Sequence, residues 1–86
     1  MNANEARLNA LKKVEEDYRA SIKLLENAIS LVSHSGESMA WGLVPTSVAR
    51  MVSQAMESKG FNTTISTNLD MVTGEESKDS IITVEW

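Results

Sequence analysis

Between Ala3 and Val32 the chain runs for thirty residues without a glycine or a proline, and Ala, Leu, Glu, Lys and Arg dominate the stretch. Such residues lose little rotamer freedom in a helix, so this segment is predicted to be helical throughout. Asn2 or Asn4 can cap its start, and Glu5 sits early, where it favours the positive end of the helix dipole. Ser35 and Gly36 are breakers, which places the end near Ser33 and gives a helix over 3–33. Leu11, Val14, Tyr18, Ile22, Leu25, Ile29 and Val32 recur every three or four residues and form one stripe, with Leu8 at its edge. Glu16, Lys12, Arg19, Lys23, Asn27 and Ser30 occupy the opposite side. In the second half Leu24, Ala28 and Leu31 widen the apolar arc, as expected of a helix pressed into a core.

Length turns this helix into a constraint on the whole fold. Thirty residues at 1.5 Å each span about 45 Å. A compact chain of this size has a radius of gyration of only about 12 Å. The helix is therefore expected to overhang its own domain, carrying apolar side chains with it.

The remainder, 38–86, reads as a β-α-β-β portion of the same single domain, 1–86. Met39, Trp41 and Leu43 alternate with Ala40 and Gly42 as a short strand to Val44. Pro45 is expected to open a helix in which Val48, Met51, Val52, Ala55 and Met56 repeat at helical spacing, with Gly60 as its stop. Phe61, Thr63, Ile65, Thr67 and Leu69 alternate with polar residues in a second strand, and Ile82, Val84 and Trp86 mark a third. The polar segment 73–79 between them reads as a turn. The class is α+β: a long N-terminal helix, then β-α-β-β, giving a three-stranded, mostly antiparallel sheet covered on one face by two helices.

Composition narrows function by exclusion. The net charge of −4 argues against a broad phosphate-neutralising surface, so nucleic acid is an unexpected partner. Cysteine is absent, which removes disulfides and thiolate chemistry. No stretch approaches the ~20 apolar residues that span a bilayer, and Met1 to Arg7 lacks the apolar run of a signal peptide. A soluble cytoplasmic protein is expected, without a membrane partner.

Catalytic and metal motifs are missing. His34, the single histidine, is expected at the helix C-terminus or in solvent, since no motif supplies the acid and nucleophile of a triad. One histidine without cysteine cannot make an ordinary structural zinc site. Asp70, Glu75, Glu76 and Asp79 do not follow EF-hand spacing and read as a solvated hairpin tip. No cofactor is implied, and the chain is expected not to be an enzyme. Trp41 is expected to fill the core ahead of anchoring an interface, and Trp86 suits either role. Met56 reads as core, with Met51 at its edge, although Met39, Met51, Met56 and Met71 together could make an adaptable surface.

The opening Asn2-Ala3-Asn4-Glu5-Ala6-Arg7 and the closing Ile82-Thr83-Val84-Glu85-Trp86 resemble the ends of small, largely uncharacterised phage-encoded accessory proteins. The likeness extends in layout over most of the chain: a long N-terminal helix, a strand, a second helix, a step like Gly60-Phe61, and a last strand ending in Trp. Glu85 departs from it, standing where a small polar residue is expected. The resemblance implies a host-cytoplasm setting and a role against host machinery or defence.

The leading expectation is a non-enzymatic, homo-oligomeric interaction module that acts on host machinery or defence, with itself as the first partner and a host protein or a small anionic ligand as further ones. Leu8, Leu11, Val14 and Tyr18 are its interface candidates, because pairing two copies would bury the overhanging stripe. Two alternatives stand beside it. One is a sponge for a small anionic nucleotide signal, with Trp41, Arg50 and Lys59 as ligand candidates. The other is a minor structural component of a phage particle.

Overall fold

A computed structural model describes residues 1–69 and 72–86 of the chain; Asp70 and Met71, named above in the acidic cluster and the methionine set, lie outside the described residues. The elements follow in the order α1 (Ala3–His34), β1 (Met39–Pro45), α2 (Thr46–Ser58), β2 (Asn62–Leu69) and β3 (Glu76–Glu85). The fold is α+β, a three-stranded antiparallel sheet with two helices.

Asn2 is the N-cap of α1, its Oδ1 accepting from the Glu5 backbone N–H at 2.9 Å. The helix runs one residue past the expected end. His34 Nδ1 donates to the Ser30 carbonyl at 2.5 Å and Ser33 Oγ donates to the same oxygen at 3.1 Å, while Ser35 Oγ donates to the Leu31 carbonyl, one of the last four that have no intrahelical partner, at 3.3 Å. Gly36, at φ +82°, then turns the chain out of the helix, and the Glu37 N–H reaches back to the Val32 carbonyl at 3.3 Å.

The strand order is β1-β3-β2, so the last strand is the central one. Register sets Ala40 opposite Val84, Gly42 opposite Ile82 and Val44 opposite Ser80; on the other side Thr63, Ile65 and Thr67 face the same three β3 residues. These positions form the helix-covered face. Side-chain alternation sends Met39, Trp41 and Leu43 to the opposite face.

Other boundaries differ from the sequence reading as well: Phe61 and Trp86 flank β2 and β3 instead of lying within them. Pro45 ends β1 and caps α2 from outside, at φ −57° and ψ 132°, with no side-chain cap bond. The turn is also shorter than 73–79, because β3 already begins at Glu76 and pairs Asp79 with Pro45. Hydroxyls hold that extra length in register. Thr46 Oγ1 donates to the Ser77 carbonyl at 2.7 Å and so accepts from Ser80, 2.8 Å away. Ser80, buried, in turn accepts from Thr67 at 2.7 Å. Every proton in this relay has one destination, which removes the cost of burying the groups.

The core lies between the helices and the covered face: Leu25 from α1, Val44 from β1, Val48, Ala49, Val52 and Met56 from α2, and Ile82 and Val84 from β3. Val14, Tyr18, Ile22, Ile29 and Phe61 pack around it. Leu24 and Leu31, expected in the core, are instead 45% and 76% exposed. A three-stranded sheet is too narrow to cover half the circumference of a helix. β1 also meets α1 through its smallest residues: a Cβ built on Gly42 would lie 2.5 Å from Leu24 Cδ2 and 3.1 Å from Leu25 Cδ2. Trp41 is corrected likewise, being 61% exposed rather than core.

The helix does overhang. Its 32 residues span about 48 Å, the molecule measures 51 × 32 × 18 Å, and its radius of gyration is 14.9 Å, well above the compact value. Every residue from Met1 to Lys13 is exposed.

Candidate functional site: the projecting helix and the open sheet face

The four interface candidates of α1 divide into two pairs. Leu8 and Leu11 lie on the projecting part, 58% and 66% exposed. Val14 and Tyr18 sit at the root of the projection, half-buried against the core. Only the first pair is free to meet another molecule, whereas the second anchors the projection to the domain.

The opposite face of the sheet carries a second apolar surface. Met39, Trp41 and Leu43 of β1 project from it, with Thr83 beside Trp41 and the half-buried Ile81 beside Leu43. Thr64 and Ser66 of β2 complete the cross-strand rows. At the β1 edge this surface continues into a groove of about 330 Å³ lined by Ala28, Leu31, Met39 and Trp41. The patch therefore wraps from α1 around the strand edge to the open face. The sequence held a signal for it: Ala40 and Gly42 alternate with Met39, Trp41 and Leu43, and only small side chains admit a helix so close to a strand. The bulky alternate set then has to face away.

The ligand candidates do not converge. Lys59 lies in a different groove, about 480 Å³, between α1 and α2, with Tyr18, Arg19, Ile22, Lys23 and Glu26. There its Nζ pairs with Glu26 at 2.5 Å, and Arg19 pairs with Glu15 at 2.5 Å. Trp41 lines the groove at β1, and Arg50 is exposed on α2 and lines neither. Trp86 closes the core end, its ring edge-on to Phe61 at 6.0 Å, while its backbone N–H donates to the Ser38 carbonyl at 3.0 Å.

Several polar side chains hold the fold. His34 is bonded to Ser30, Ser21 Oγ donates to the Asp17 carbonyl at 2.6 Å, and Ser53 donates to Thr63, which donates to Glu57 at 2.9 Å. Asp17 draws Lys13 to 2.9 Å, and that hydrogen bond and charge raise the Lys13 pKa. Among the described residues no group of three or more His, Cys, Asp or Glu side chains could hold a metal ion, and no helix is long and apolar enough to cross a membrane.

No family model, curated protein or solved structure matches the chain. The likeness to phage accessory proteins therefore stays a reading of the two short ends and the layout.

Proposed function

We propose that the chain is a non-enzymatic interaction module that associates with copies of itself through the projecting part of α1. The observation that carries this reading is the exposure of Leu8 and Leu11 on eleven helical residues, Ala3–Lys13, every one of them exposed. The segment extends a helix already formed on the core, but most helical stability in proteins comes from packing an apolar face rather than from propensity. Stability of such a segment comes from burying its apolar face, and a second copy supplies a surface at matching concentration.

Light scattering after size exclusion tests the proposal. Wild-type protein is expected to run as a dimer or larger species that dissociates on dilution. The double substitution Leu8→Asp with Leu11→Asp is expected to give a folded monomer, because neither residue supports the core. Val14 is left unchanged, since its half-buried side chain would confound assembly with folding. Wild type that stays monomeric at high concentration, or a double variant that assembles like wild type, would sink the proposal.

A further inference from the structure

We infer that the projecting helix of one copy lies across the open sheet face of the other, and that two copies exchange this contact about a two-fold axis. The inference rests on the self-association just proposed and names the surface that receives the helix.

Three observations on one molecule support it. First, the chain leaves two apolar surfaces unpartnered, Leu8 and Leu11 on the projection and Met39, Trp41 and Leu43 on the sheet, and a reciprocal exchange covers both. Second, the charges are complementary. Residues 1–13 hold three basic side chains (Arg7, Lys12 and Lys13) and one acidic (Glu5), so the rest of the chain holds five of the 8 basic and eleven of the 12 acidic residues. On the open face, among the described residues, the charged side chains are Asp79 and Glu85, placed by register at either end of the apolar centre. Lys13 is paired with Asp17 within its own helix, so the complementarity acts through the net charge of the projection, steering it toward an acid-flanked apolar floor.

Third, the sizes agree. Ala3–Lys13 is about 16 Å long and 10 Å wide, and three strands ~4.8 Å apart give a floor about 14 Å across. An exchanged pair makes this contact twice, so each copy buries both its projection and its open face, which brings the area nearer the ~800 Å² per partner of a standard stable interface. Two projections packed only against each other make a single contact.

The test compares Trp41→Asp with the Leu8→Asp, Leu11→Asp double variant, alone and mixed, by light scattering, with circular dichroism to confirm folding. Each variant alone is expected to be monomeric, its dissociation constant raised more than tenfold. An equimolar mixture is expected to regain dimers, since one intact helix still meets one intact face. Trp41→Asp assembling like wild type would overturn the inference, and if the double variant is then monomeric, self-association through the projections alone survives. Two monomeric variants that yield no mixed dimer would overturn it too. Should Trp41→Asp fail to fold, the Trp86→Phe variant leaves Trp41 as sole reporter. Its emission is expected to shift to the blue as concentration rises, and an emission that stays red through assembly would overturn the inference.

Discussion

Gly42 sets how near α1 comes to the sheet. Of the two side chains an added Cβ would meet, Leu24 is half-exposed and can swing its terminal methyl outward, but Leu25 is fully buried and cannot. Gly42→Ala is therefore expected to cost about 1 kcal/mol, at the low end of overpacking, and to lower the melting temperature by about 4–8 °C in a chain of this size. Gly42→Val, which adds two methyl groups beyond the alanine Cβ in the same space, is expected to cost about 3 kcal/mol. Calorimetry or thermal circular dichroism would check both, and an unchanged midpoint for Gly42→Val would mean that helix and strand are not in contact there. The same economy governs the hydroxyls. Thr67, Ser80 and Thr46 pass their protons in one direction to the Ser77 carbonyl, which lets a serine occupy the middle of the covered face.

At the scale of elements, α1 is two helices in one. Its second half is fixed by Leu25 and the half-buried Ile22 and Ile29, whereas Ala3–Lys13 buries no side chain and is held by its backbone bonds, the Asn2 cap and the exposed Lys13–Asp17 pair. Local opening free energy follows buried contacts. In samples dilute enough to be monomeric, amides of residues 3–13 are expected to exchange with solvent at least tenfold faster than those of 18–32, as hydrogen-exchange mass spectrometry would read. Equal protection of both halves would mean the projection stands unaided and would remove the physical reason for a partner. Much of this was legible in the sequence, because a helix of thirty residues cannot fit inside so small a domain and periodicity located its apolar stripe. The faces of β1 were harder to read. Alternation distinguishes two sets of side chains but does not say which one meets the helix, and hydrophobicity favours Trp41 and Leu43 for the core. Contact distance decides otherwise, since Gly42 and Ala40 admit α1 and the large residues do not. The early start of β3 was hidden for a related reason: Glu76 to Ser80 looks like turn sequence, and pairing with both neighbours overrides that local preference.

The molecule as a whole is thin, 18 Å in its shortest dimension, which is one layer of helices on one sheet with the second face of that sheet bare. Its charge is divided between a basic projection and an acidic body. Attraction between exposed charges fades beyond a screening distance of ~10 Å at 0.1 M salt and ~3 Å at 1 M. Raising salt from 50 mM to 0.5 M is accordingly expected to weaken association several-fold, chiefly by slowing it, without dissociating what the apolar contacts hold. Sedimentation velocity across that range would measure it, and association that strengthens steadily with salt would show that like charges face each other. The strand order has a consequence in time. Among the described residues β1 and β2 are each hydrogen-bonded only to β3, so until Glu76–Glu85 is inserted neither strand has a strand neighbour and the helices lack the centre of their floor. The third strand works as a keystone: the sheet closes only when the segment made after both of its neighbours slots in between them.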